Sequence, residues 1–233
     1  MVSVISASNR PERLDITQKC LARQHGVDYE WIVVCPVIPK VSANWVKDPP
    51  KAEGDVYALN KAMNAGLKVA KGELIVRIDD SIWFPPDALE KFWFWYTQNN
   101  KVCVSGVGDQ YDQLDDVGKP THKVWLDPRK TDKYGTFYEC NPEDWEGNFG
   151  SIPRDLIEEI GGWDEQMDRY YAWDNVAVAY RLQTIGAQFY LDQTNESFSF
   201  QHGRSDNWDK DSWANHNFWE WFKTRPVKLD YLG

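Results

Sequence analysis

Asp79 and Asp80 stand side by side at the end of the apolar run "ELIVRI" (73–78), and Ser81 follows them. Adjacent carboxylates repel each other, and when drawn out of water they persist only if a cation or hydrogen-bond donors offset them. Two more polar groups are placed in the same way: Ser8-Asn9-Arg10 after "VSVIS" (2–6), and His202 after "SFSFQ". In an open α/β sheet, ligands bind beyond the carboxyl ends of the strands, so these groups outline one site. Oxygen ligands with one imidazole suit Mn²⁺ or Mg²⁺ and leave positions open for phosphate oxygens. Turn chemistry and helix capping are the plain alternative for the Asp pair. Pro85-Pro86 weakens it, because the next helix then starts too late for Asp80 to cap. Taken alone, His202 reads as an ordinary solvated or hydrogen-bonded histidine.

The elements that must position these residues alternate between strand and helix. "VSVIS" and "YEWIVV" (29–34) read as buried strands, with a helix opened by Pro11 between them. Residues 35–54, rich in proline, read as an irregular connection. Asp55 is expected to cap a helix in which Leu59, Ala62, Met63, Gly66, Leu67 and Ala70 repeat at helical spacing before Gly72 ends it. "ELIVRI" is the third strand, Pro86 to about Asn99 a helix, and "KVCVSGV" (101–107) the fourth strand. Such alternation predicts a parallel, doubly wound sheet. Residues 108–146 lose all periodicity and read as a long excursion. Beyond them come "GNFGSI" (147–152), a helix opened by Pro153, a turn at "GGWDE" (161–165) and a helix over 174–185. "AQFYLD" and "SFSFQ" read as separate strands, and the tail as a helix with Ala214, Phe218, Trp221 and Phe222 on one face.

Composition excludes several classes. The chain has 233 residues, 42% hydrophobic and 27% charged, which suits one globular domain and no disordered chain. No run is long enough to span a bilayer, and the N-terminus has no signal-peptide pattern, so a cytoplasmic protein is expected. A net charge of −10 repels a polyanion and disfavours nucleic acid as a partner. Cys20, Cys35, Cys103 and Cys140 are widely spaced, which suggests neither zinc nor disulfides. Gly106-x-Gly108 has no helix behind it and is no dinucleotide loop. The thirteen tryptophans are the abnormal feature, since Trp often lines sites that need an apolar face and one N–H donor.

"SVISASNRPERL", "MNAGLKVAKGELIVRIDDSIWFPPDAL" and "GNFGSIPRDLIEEIGGWDEQM…WDNVAVAYRLQTIGAQFYLD" resemble three successive blocks of glycosyltransferase family 2, in order and in register. The resemblance implies the α/β GT-A fold, a Rossmann-like, mostly parallel central sheet with flanking helices. That domain would cover 1–203, with 108–146 as an excursion or acceptor-side lid, and 204–233 as an aromatic-rich helical tail packed on it. It further implies that Ser8, Asn9, Arg10, Asn64 and Asp79 serve the nucleotide donor and that Asp80 and His202 hold the metal. Asp174 falls at the family's acidic pair and becomes the candidate base, with Asp164, Glu165 and Asp168 as neighbouring candidates. Trp163, Asp164 and Trp173 fall on the acceptor side. Three positions depart from the pattern: Ser81 and Asn175 stand where the family prefers carboxylates, and "VVCPVIP" replaces an acidic turn after the second strand.

The activity so implied is metal-dependent transfer of a sugar from a UDP-, GDP- or dTDP-sugar to a hydroxyl of a glycan, with inversion. The diphosphate leaves with growing negative charge, which a divalent ion stabilises, and the poorly nucleophilic hydroxyl needs a base. Two alternatives compete. One is a degenerate GT-A domain that binds nucleotide or glycan without turnover. The other is a transferase acting on hydroxylated DNA bases, which the net charge opposes.

Overall fold

The computed structural model describes residues 1–114, 120–169, 173–200 and 220–232. Its first elements are β1 (Val2–Ala7), α1 (Leu14–Leu21), β2 (Tyr29–Cys35), β3 (Asn44–Lys47), α2 (Leu59–Val69) and β4 (Leu74–Ile78). They are followed by β5 (Ile82–Trp83), α3 (Ala88–Gln98), β6 (Val102–Leu114), β7 (Pro120–Trp125) and β8 (Phe137–Glu139). The last are β9 (Phe149–Pro153), α4 (Arg154–Glu159), α5 (Asp174–Thr184) and β10 (Gln188–Phe200). A short 3-10 turn, Pro11–Arg13, precedes α1.

One mixed α/β sheet runs β3-β2-β1-β4-β9-β6-β10-β5, with β7 on β6 and β8 on β10. The central strands β3-β2-β1-β4 are parallel, as is the β6–β10 pair. Antiparallel β9 joins these two parallel blocks. Strand alternation splits the buried residues between two faces. Ile5, Ile32, Val34 and Ile75 meet Met63 and Leu67 of α2, Ile157 of α4 and Leu182 of α5 on one face. Val4, Val33, Leu74 and Val76 meet Leu14 of α1 and Phe92 of α3 on the other.

Antiparallel β9 at the centre and antiparallel β5, β7 and β8 make the sheet mixed where strand–helix alternation predicts a parallel one. The structure departs from the sequence reading in four further places. The connection 35–54 contains β3, an edge strand parallel to β2. The two expected strands near residue 190 are one, β10, bent by a register shift between Asp192 and Glu196. Asp55 does not cap α2, since it lies too far ahead of Leu59 and instead ion-pairs with Lys61. The cap comes from far along the chain: Asp168 accepts from the backbone N–H of Asn60 (2.8 Å) and of Lys61 (3.2 Å).

The excursion 108–146 is the fourth departure, since β6 runs on through it and returns as β7. Its root is pinned by charge. Buried Asp109 pairs with Lys123 and Lys130, while Asp127 accepts the Gly108 N–H (2.9 Å) and pairs with Arg129. Gly106 and Gly108 are glycines because β10 lies against them. A Cβ at Gly106 would come within 2.4 Å of the Asn195 carbonyl, and one at Gly108 equally close to the Ser197 hydroxyl. No helix among the described residues is long and apolar enough to cross a membrane.

Candidate active site

Parallel pairing of β1 with β4 brings the chain beyond Ala7 beside the chain beyond Ile78. There the Ser8 hydroxyl donates to Asp80 Oδ2 (2.6 Å). Arg10 grips the same carboxylate twice, Nη2 on Oδ1 (2.5 Å) and Nε on Oδ2 (3.2 Å). Asp80 is buried, and this guanidinium is the cation that offsets it. Asn9 is exposed on the same loop. Ser81 holds a left-handed backbone, φ 64°, directly after the pair, a strain of the kind that sites retain.

Asp79 has a different arginine. Arg77, on β4, donates to both its oxygens (2.9 and 3.2 Å). The remaining end of the guanidinium reaches the start of α5, where Nη1 donates to Asp174 Oδ2 and to Asn175 Oδ1, each at 2.9 Å. Arg77 is the residue that sequence reasoning missed. Its signal was there, because an arginine inside an otherwise apolar strand must be paired if buried. Burial alone would weaken its basicity, but Asp79 and Asp174 outweigh that and raise it. Asp79 retains 36% of its side-chain surface where it lines a cavity, yet sits deep in the fold. That burial, with Asp80 and Asp174 near, pushes its carboxyl up in spite of Arg77.

The cavity, about 680 Å³, has Arg77, Asp79, Trp173, Asp174 and Asn175 on one side. Its other walls carry Gln110 of β6, Trp125 of β7, Arg129, Glu143, Trp145 and Glu146. Glu146 is also raised by burial, with Arg129 opposing. Trp173 precedes Asp174 with φ 69°, so left-handed residues adjoin both Asp80 and Asp174. Asp174 lies in the first turn of α5, whose cap position is Trp173, and so is not the cap itself. Among the described residues its Oδ2 has a hydrogen-bond partner and its Oδ1 has none.

The other candidates are engaged elsewhere. Asn64 accepts the Trp163 N–H (2.8 Å) and donates to the Trp163 carbonyl (2.9 Å) and Glu165 (3.0 Å). It is a buried clamp between α2 and the 161–165 turn, away from the cavity lining. Trp163 is core, at 1% exposure, and offers no face to an acceptor. Asp164 is buried under Arg181 (2.6 Å), Arg225 (2.9 Å) and Tyr231 (3.0 Å). Burial opposes ionisation there, but Arg225 and Arg181 prevail and hold its carboxyl below the ordinary range. Asp168 also lines the cavity, but both of its oxygens are taken by the capping of α2. His202 lies outside the described residues; β10 ends beside the Asp pair, where the Phe200 N–H donates to the Ser81 carbonyl (3.1 Å).

No set of three or more potential metal-ligating side chains is assembled among the described residues. Asp80 nevertheless fits a hard divalent cation. It is a buried carboxylate at a strand end whose charge already demands a positive partner, which Arg10 supplies.

Residues 55–161 match the family model for glycosyl transferase family 2. That span, 107 of the 233 residues, is similar to family 2 glycosyltransferases. The match spans α2, the Asp pair and the 108–146 excursion, and ends at the turn that Asn64 clamps. No curated protein matches the chain significantly. Among solved structures it is similar to GalNAc-T7 crystallised with UDP, GalNAc and Mn²⁺, at TM-score 0.63 and 13% identity over 89% of this chain. The chain spans 45% of the length of that structure. The likeness shows the GT-A fold.

Proposed function

We propose that the chain transfers a sugar from a nucleotide-sugar donor to a hydroxyl of a glycan acceptor, with inversion at the anomeric carbon. The observation that carries this reading is the Arg77 bridge. It fixes a donor-side carboxylate, Asp79, and a carboxylate at the start of α5, Asp174, on the wall of one cavity. Ser8, Arg10 and Asp80 serve the nucleotide end. A divalent cation bound at Asp80, with Mn²⁺ or Mg²⁺ the suitable ions, would supply Lewis-acid stabilisation of the departing diphosphate. Asp174, held through Oδ2, keeps Oδ1 to accept the proton of the attacking hydroxyl. Trp125 and Trp173 give the cavity faces on which sugar rings can stack and from which water is displaced. A lining richer in carboxylates than in arginines opposes a polyanionic acceptor and favours neutral sugars over DNA.

A binding-only reading is favoured by one observation. Asp79, Asp80 and Asp174 are all paired with arginine, a quiet arrangement for residues meant to react. One experiment separates the readings: incubation with UDP-, GDP- and dTDP-sugars and Mn²⁺, with and without methyl glycosides, followed by assay of released nucleotide. Release that rises with glycoside and stops with chelator supports transfer. Nucleotide binding with no release by any donor supports the binding protein.

A further inference from the structure

The two arginines of the site are held very differently. Arg77 is 4% exposed and bridges three side chains. Arg10 sits on the loop after β1, is 29% exposed, and its guanidinium bonds only to Asp80 among the described residues. One is fixed by the fold and the other is tethered at one end.

Asp80 has little left to offer a metal while Arg10 is in place. A carboxylate presents about four lone-pair positions. Oδ2 already accepts from Ser8 and Arg10, and Oδ1 from Arg10 at 2.5 Å with the Ser81 hydroxyl at 3.5 Å. A divalent ion approaching this carboxylate must displace the guanidinium or endure its repulsion. Guanidinium also pairs bidentately with phosphate, and a diphosphate carries more negative charge than one carboxylate.

We infer that Arg10 is a stand-in cation for Asp80, released only when a nucleotide diphosphate draws its guanidinium away. This rests on the nucleotide-sugar reading and adds an order of events to it. Divalent cation and nucleotide bind as a coupled pair, because the nucleotide removes the competitor for the metal's ligand. Coupling of this kind is reciprocal, so the cation must strengthen nucleotide binding by the same factor. Arg10 thereby acts as a positioning residue that keeps Asp80 closed to free metal.

The test is Mn²⁺ binding to the full chain, followed by the electron paramagnetic resonance signal of free Mn²⁺, without nucleotide and with saturating UDP, GDP or dTDP. Wild type should bind Mn²⁺ weakly alone and about tenfold tighter or more with its nucleotide. Arg10→Met should bind Mn²⁺ alone at least about fivefold tighter than wild type and lose most of the nucleotide-induced gain. Arg10→Lys, which keeps charge without the fork, should fall between. Lys40→Met, which removes an exposed positive charge, should behave as wild type, and adding Asp80→Asn to Arg10→Met should abolish the tightening. Arg10→Met binding Mn²⁺ no tighter than wild type, or no tighter than Lys40→Met, overturns the inference. If nucleotide and Mn²⁺ bind but Arg10 makes no difference, only the stand-in role fails. If no variant binds any nucleotide, the nucleotide-sugar reading fails and takes this one with it.

Discussion

Arg77 and Asp174 are 97 residues apart in sequence and 2.9 Å apart in space. Their contact joins the end of β4 to the start of α5. Because the same guanidinium holds Asp79, the two carboxylates face one cavity at a set separation instead of repelling each other apart. The chemistry proposed for this chain depends on that join.

Asp174→Asn keeps an oxygen for Arg77 and deletes the base. Trp173, not Asp174, occupies the cap position of α5, so the helix should not notice the change. Transfer should fall by about 10²-fold or more, with nucleotide affinity and Tm nearly unchanged. Near-normal transfer would end the base assignment for Asp174; Asp164 and Asp168 could not inherit it without leaving the partners they hold.

Arg77→Met leaves Asp79 and Asp174 without their shared cation. Breaking a buried pair costs about 3–5 kcal/mol, and the partial exposure of Asp79 should bring the loss to roughly 2–3 kcal/mol. Urea denaturation would read it, and Arg77→Lys should recover part of the stability without the fork. A wild-type midpoint for Arg77→Met would mean that the bridge carries no load.

Acid should release the C-terminal segment. Arg225 and Arg181 outweigh burial and hold the Asp164 carboxyl below its unfolded value, so its contribution is complete above about pH 4. It is lost as pH falls through the lower, folded value. The stability gap between wild type and Asp164→Asn should therefore be flat above about pH 5 and close on acidification. A gap that instead widens in acid contradicts this assignment. Asp168, raised by burial, runs the other way, and its contribution declines as pH rises.

The excursion is pinned at its root, so closure over bound donor should be confined to its outer part. Hydrogen exchange with donor and Mn²⁺ should show new protection in β7, while Asp109 and Asp127 stay protected throughout. Protection gained only around 8–13 and 79–81 would remove any lid role for this segment.

Apart from the edge strand β3 and the antiparallel setting of β9, the sequence by itself determined the core strands, the helices and the place of the Asp pair. Those follow from local periodicity: alternate residues of β1 and β4 face opposite cores, and the α2 apolar residues recur at helical spacing. The strand-end rule then put Ser8, Arg10, Asp79 and Asp80 together, and the structure joins Ser8 and Arg10 to Asp80. Tertiary structure decided which polar residues are free. Asn64, Trp163 and Asp164 looked like site residues because their types and neighbours suited the family pattern, yet each is spent on a contact that no local pattern encodes. The cap of α2 by Asp168 spans 108 residues, the Asn64–Trp163 clamp 99, and the Arg77–Asp174 bridge 97. Periodicity reports the environment of an element one turn at a time. A buried charge finds its partner only when the elements meet, so the pairing that assembles this site became visible only in three dimensions.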